Sequence, residues 1–469
     1  MSLDRGRWAA IALMILVAFV VGGYAATQAL SGNGASQETA SPSAGPDVDA
    51  FPSASPAGAV LPGLAADAAV PSADGVAATL GPLLADPDLG SRVTATVVDA
   101  VSGAVLFDRE AQLPLVPASS AKLLTAVAAL EVLEPQHRLT TQVTRGPTAD
   151  QIVLVGAGDA TLSTQAAPPE SYPRRASLAE LAAGTAAVLT AQGVTSVTLA
   201  YDASLFAGPL VNPEWQPGYV QGGAVAPVSA LSVDGGRVRP GSDERVADPA
   251  LTAAVRFVEA LGASGIAVTG APVPGVAPDG AEVIASVQSP TVAQLVETML
   301  VGSDNDVAEA LLRLVGARRT VPADVASAAA AVVDANGRAG VAVTGVSLRD
   351  GSGLARSNAV PARTLGSVLD VAADNPSLGT IIAKMPVAGF TGTLADRFDN
   401  PGDRSGAGVV RAKTGTLNGV SSLSGTVVSA EGRLLAFAFM ADQVPLARTL
   451  DAREAFDAAA SALAGCGCR

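Results

Sequence analysis

Three short polar clusters, far apart in the chain, constrain its fold more than any other feature. Ser119 and Lys122 stand three residues apart at the start of an apolar helical pattern. Ser303-Asp304-Asn305 falls in a break between two helical patterns, and Lys413-Thr414-Gly415-Thr416 leads into late strands. If these clusters act together, a helix start, an interhelix loop and a strand must meet at one place. An α+β body does this, with central helices laid against a sheet built from early and late strands.

The lysines give the reason to expect that meeting. The chain has three, Lys122, Lys384 and Lys413, and the rest of its 29 cationic residues are arginine. Lysine can lose its proton near neutral pH when its surroundings depress its pKa, and arginine cannot. A serine hydroxyl is a poor nucleophile until a base takes its proton. Residues three apart on a helix share a face, so Lys122 can be that base for Ser119. Burial and a second cation nearby would both lower its pKa. The helix start offers N–H groups to a developing oxyanion.

Ser303 can relay a proton to a leaving amine. Asn305 can bind a substrate amide or hold Lys122, although plain helix capping favours the same residue types. Lys413 supplies positive charge, the hydroxyls of Thr414 and Thr416 can bind a carboxylate, and Gly415 lets a substrate backbone come close. An edge strand here could take an extended peptide by strand addition. Each cluster alone has an ordinary reading as a cap or a surface lysine. Together, in this order, they read as a catalytic constellation using two of the three lysines. Lys384 matches none of its parts and reads as a surface residue.

The formal net charge of −14, with no long basic run, argues against nucleic acid as a partner. A single histidine, His137, sits in a polar turn, which excludes a His-rich metal site and leaves a Ser-His-Asp triad only that residue. No cluster implies a metal or a cofactor. Cys466 and Cys468 lie in the last four residues and could pair or bind a metal, but an unstructured tail is the expectation.

Residues 1–30 read as a transmembrane anchor or a signal segment. Arg5 and Arg7 precede an apolar run, which puts the body outside the cytoplasm. Residues 31–74, rich in Ala, Ser, Gly and Pro, read as a flexible linker. Beyond them, strands are expected at 93–98, 104–107 and 153–155, and helices at 119–133, 178–192, 291–300, 306–318 and 451–463. A hairpin is expected over 420–428 and 433–440. Residues 75–145 and 286–469 are expected to form the core, with 146–285 inserted as a separate domain.

With these motifs the sequence resembles the serine D-Ala-D-Ala carboxypeptidases and endopeptidases of the penicillin-binding protein 4 type, the class C low-molecular-mass group. Further stretches carry the resemblance: residues 154–162 (Leu-Val-Gly-Ala-Gly-Asp-Ala-Thr-Leu), 350–354 (Asp-Gly-Ser-Gly-Leu) and 385–389 (Met-Pro-Val-Ala-Gly). The resemblance implies a transpeptidase/β-lactamase-like core of a sheet between helices, with one inserted domain. It implies that Ser119 is acylated by peptidoglycan peptide stems and by β-lactams. The oxyanion hole would be the backbone N–H groups of Ser119 and Thr416. A side pocket for the stem side chain would use Asp159, Arg356 and Asn418. A β-lactamase is the second reading, but no Glu-x-x-Leu-Asn run lies between Lys122 and Ser303. An inactive wall-binding scaffold is the third.

Overall fold

The computed structural model describes residues 68–239, 241–319 and 324–468. The expected anchor and most of the linker lie outside the described residues. In chain order the helices are α1 (Ala73–Leu84), α2 (Lys122–Leu133), α3 (Leu178–Ala191), α4 (Pro249–Ala263), α5 (Val292–Val301), α6 (Asn305–Ala317), α7 (Val325–Arg338), α8 (Ala362–Asp374), α9 (Gly379–Lys384) and α10 (Thr449–Ala464). The strands are β1 (Val93–Asp99), β2 (Val105–Arg109), β3 (Pro114–Leu115), β4 (Arg138–Arg145), β5 (Gln151–Val155), β6 (Ser196–Asp202), β7 (Ala267–Val268), β8 (Val273–Pro274), β9 (Val283–Thr291), β10 (Val360–Pro361), β11 (Arg411–Leu417), β12 (Val420–Val428) and β13 (Leu434–Ala441).

The first sheet has the order β11-β12-β13-β1-β2 and is antiparallel throughout. Early β1 pairs with late β13, with Val97 opposite Phe437, so two segments far apart in the chain share one sheet. Strand side chains alternate between faces. In β13, Leu435, Phe437, Phe439 and Ala441 enter one core with Leu80 of α1 and Phe456 of α10. Ala436, Ala438 and Met440 enter the other, with α2 and α5 to α8. Both faces are covered, so β13 reads as a continuous apolar run rather than an alternating one. Helix α2 is buried along its length from Lys122 to Leu130, which makes it the central helix of the second layer.

A second sheet has the order β7-β6-β5-β4-β9, with β8 beside β6. Its core is closed by α3 and α4, through residues such as Leu181, Leu189, Phe257 and Leu261. The sheet takes in all of β4 and β9, so positions 146 and 285 fall just outside one strand and within the other. Alternating apolar residues identify a strand but not its partner. The first sheet could not be told from the second by pattern alone.

Two local expectations need correction. The helical pattern from Ser119 opens as a 3₁₀ turn, Ala118–Ala121, and the α-helix proper starts at Lys122. The tail is ordered through Cys468 rather than unstructured. Cys466 is buried and disulfide-linked to Cys468, and the Cys468 carbonyl accepts from Ser72 N at 2.7 Å beside the start of α1. His137 is exposed in its turn as expected, and half-exposed Lys384 pairs with Glu297 at 3.0 Å. Among the described residues no helix is long and apolar enough to cross a membrane.

Candidate active site

The three clusters meet at the edge of the first sheet. Ser119 is half-buried in the 3₁₀ turn before α2, and that turn is clamped from two sides. Ser422 of β12 donates to the Pro117 carbonyl at 2.8 Å and shares a 2.8 Å hydrogen bond with Ser120. Ala118 adopts φ +47°, an unusual value for a residue with a side chain. Two glycines make room for it. A Cβ on Gly353 would lie 1.9 Å from the Ala118 carbonyl oxygen, and one on Gly415 would lie 2.7 Å from that of Pro117.

Lys122 is fully buried, one turn on, and its Nζ donates to Ser119 Oγ at 3.0 Å. It also donates to Asn305 Oδ1 at 2.6 Å and to the Ser352 carbonyl at 2.7 Å. Burial pulls its pKa down to about 8, against the opposing pull of Asp350, Glu309, Asp304 and Asp306. A pKa near 8 leaves roughly a tenth of the amines neutral at pH 7.

The loop before α6 shows why capping does not account for the Ser303 cluster. Asp304 is the cap, accepting from Val307 N at 2.9 Å. That frees its two neighbours for the lysines. Ser303 sits at φ +54°, a strained conformation of the kind found at functional sites, and its Oγ accepts from Lys413 Nζ at 2.9 Å. Asn305 holds Lys122 through Oδ1, while its Nδ2 donates to the Ala224 carbonyl at 2.8 Å.

Lys413 is also fully buried, and its Nζ donates to the Thr414 carbonyl at 2.8 Å. Burial first, then the charges of Lys122 and Arg397, push its pKa well below the usual lysine value. It lies on β11, an edge strand, with Thr416 exposed and the Thr414 hydroxyl 2.9 Å from that of Thr393. The site therefore has a hydroxyl beside a base, a second hydroxyl beside a second amine, and a strand edge that is bridged by Val387 at Arg411 and has no further strand beside it among the described residues. Such an arrangement can carry out acyl transfer to serine and pass protons on both sides of the reacting carbon.

Of the side-pocket residues, the structure brings two together: Arg356 Nη1 donates to the Asn418 carbonyl at 2.9 Å. Asp159 is buried elsewhere in the network. Its Oδ1 accepts from Thr161 N at 2.8 Å and Thr161 Oγ1 at 2.6 Å, and its Oδ2 has no hydrogen-bond partner. Among the described residues it makes no ion pair with Arg356. Burial raises its pKa, against the lowering by Thr161 and Arg175.

The sequence reading missed a supporting layer. Buried Glu309 accepts from the backbone of Gly351 at 3.0 Å and Ser352 at 2.8 Å, fixing the carbonyl that holds Lys122. Burial, then Asp350, raises its pKa to about 8. Asp350 gathers Trp215 Nε1 at 2.8 Å, Gly353 N at 2.9 Å and Asn358 Nδ2 at 2.7 Å around the same loop. Asp306 takes Ala226 N at 2.6 Å and pairs with Arg245 at 3.0 Å, strapping the Ala224 loop to Asn305. Spacing offered a signal for Glu309, which is four residues after Asn305 and so on the same helix face.

Comparison with known proteins gives this geometry a class, that of the serine peptidases that act on D-Ala-D-Ala. The profile of the D-Ala-D-Ala carboxypeptidase 3 (S13) family matches residues 76–245 and 241–463, and the chain belongs to that family. Carboxypeptidase Rv3627c of Mycobacterium tuberculosis is 40% identical over 411 residues, covering 86% of each chain. Carboxypeptidase DacB of Mycolicibacterium smegmatis is 36% identical over 474 residues, covering 99% of this chain and 98% of that one. Penicillin-binding protein 4 of Haemophilus influenzae shares the fold, with TM-score 0.65 and 22% identity over 78% of this chain and 93% of its own. A second structure of that protein, with TM-score 0.61, is a complex with a β-lactam. The chain is thus a serine-type D-Ala-D-Ala carboxypeptidase, a hydrolase.

Proposed function

We propose that Ser119 is the acylated nucleophile and that Lys122 is its base. The observation that carries this is the contact of a buried, weakly basic Lys122 Nζ with Ser119 Oγ at 3.0 Å. A stem peptide lies extended along the free edge of β11. Its terminal carboxylate meets the hydroxyls of Thr414 and Thr416 beside Lys413. Its penultimate carbonyl sits between the backbone N–H groups of Ser119 and Thr416, the oxyanion hole.

Ser119 Oγ attacks that carbonyl as its proton passes to Lys122 Nζ. The C–N bond then breaks, and Ser303 hands a proton to the departing D-Ala amine, backed by Lys413. That amine takes the proton Lys122 had accepted, relayed through Ser303, so Lys122 is neutral again and activates a water, which attacks the ester and frees the shortened stem and Ser119. A β-lactam acylates the same oxygen, but its ring-opened product keeps its leaving group tethered and deacylates slowly. Endopeptidase cleavage of a D-Ala cross-bridge uses the same steps with a larger leaving amine. Arg356 and Asn418 are read as part of the wall receiving the stem side chain, with Asp159 as a partner for its ammonium. The first sheet and its helices are read as a transpeptidase/β-lactamase-like core, with the second sheet inserted into it. The segment 1–30 is read as a membrane anchor that holds the body outside the cytoplasm.

The test is D-alanine release from a stem pentapeptide by the full chain and its Lys122→Arg variant. The reading requires release by the parent and a loss of about 10²- to 10⁴-fold in the variant, the usual worth of a positioned base. Equal release by both would overturn the role of Lys122.

A further inference from the structure

The second sheet carries a positively charged cleft, in a chain of formal net charge −14. Strand β9 is an edge of that sheet, with no strand on its outer side among the described residues. Ser286 and Gln288 of β9 are exposed, and they line a cleft with Arg138 of β4 and with Arg174 and Arg175 from the segment before α3. One acidic residue lines it, Glu180, and that carboxylate is already engaged by Arg174 Nη2 at 2.6 Å and Ser177 Oγ at 2.9 Å.

The other two guanidiniums are less occupied. Arg138 donates from Nη1 to the Ser289 carbonyl at 2.7 Å. Arg175 is exposed and has no hydrogen bond or ion pair among the described residues; its electrostatic partner is the buried Asp159. The segment that carries it is held in place, since Tyr172 donates to Glu297 Oε2 of α5 at 2.8 Å and lies under Lys384 of α9. Beyond the Arg174–Glu180 pair, the two remaining guanidiniums make a local anion site on an otherwise acidic protein. Guanidinium forks match carboxylates in bidentate geometry, and a free strand edge offers backbone groups to an extended chain.

We propose that this cleft is a second peptide-binding site, separate from the Ser119 site. An extended acidic peptide adds to the outer edge of β9, and Arg138 and Arg175 hold its carboxylates. Resting on the function proposed above, the occupant is a carboxylate-bearing wall stem that is not being cut. The enzyme thereby grips the polymer at one stem while it processes another.

Pelleting with insoluble peptidoglycan sacculi tests this, using the full chain with Ser119→Ala so that the wall stays intact. Adding Arg138→Gln and Arg175→Gln should lower the bound fraction by about fivefold or more. Arg175→Gln alone, at an exposed side chain without a hydrogen bond, should give part of that loss and leave the melting temperature unchanged. Carbodiimide amidation of the sacculi should abolish the difference between parent and variant. Unchanged pelleting by the variants would overturn the proposal. So would loss of binding only when phosphate polymers are stripped from the wall with its carboxylates left intact. Fluorescent-penicillin acylation of the same Arg variants with Ser119 present separates the two claims. Acylation without Arg-dependent pelleting sinks the cleft alone, and Arg-dependent pelleting without acylation sinks the Ser119 reading alone.

Discussion

Lys122 and Lys413 are buried amines in one site; burial makes both harder to protonate, and the charge of Lys122 adds to the effect on Lys413. The consequence is a pH dependence with a definite sign. Lys122 acts as a base only when neutral, and its pKa is pulled down to about 8. The rate of penicillin acylation should therefore rise with pH through about 8 and then level off, which stopped-flow or gel quantitation would read. A rate that falls across that range would contradict a neutral Lys122. The scarcity of lysine made these two residues legible in the sequence. Glu309 had only its four-residue spacing from Asn305 to mark it, and Arg245 had nothing, because an arginine that ties a loop looks in sequence like any loop charge. Arg245→Met would leave Asp306 buried without its cation. It should cost about 3–5 kcal/mol in chemical denaturation and slow acylation by loosening Asn305.

At the scale of elements, local pattern located most pieces and long-range pairing completed them. The late hairpin expected over 420–428 and 433–440 is β12 and β13, Val420–Val428 and Leu434–Ala441. The Ser303 break fell between α5 and α6, as their two apolar stripes required. The 3₁₀ turn under Ser119 was hidden, because it depends on Ser422, Gly353 and Gly415 from distant strands and loops. That turn can be broken from outside. Gly353 has φ +84°, and a side chain there meets the Ala118 carbonyl. Gly353→Ala should destabilise the protein by about 1–3 kcal/mol and cut acylation by more than the unfolded fraction explains. Normal acylation at full occupancy of the folded state would remove the clamp from the account.

Over the whole molecule, one sheet joins the early and late chain while the second is assembled from the middle. The sequence reading put most of β4 and β9 outside the middle segment, and their place in the second sheet is settled only by packing. A chain beginning at residue 68 keeps every described contact of the site. It should be acylated at the full-length rate and stay in the supernatant when membranes are pelleted, whereas the full chain should sediment with them. Sedimentation of the shortened chain would show that attachment does not depend on the first segment.

The central claim is that Ser119, activated by Lys122, forms the acyl-enzyme. Labelling the full chain with a fluorescent penicillin, followed by mass analysis of the labelled peptide, tests it most directly. A stable adduct is expected on the peptide containing Ser119, with no band from a folded Ser119→Ala variant. A label on another residue, or equal labelling of parent and variant, would contradict it.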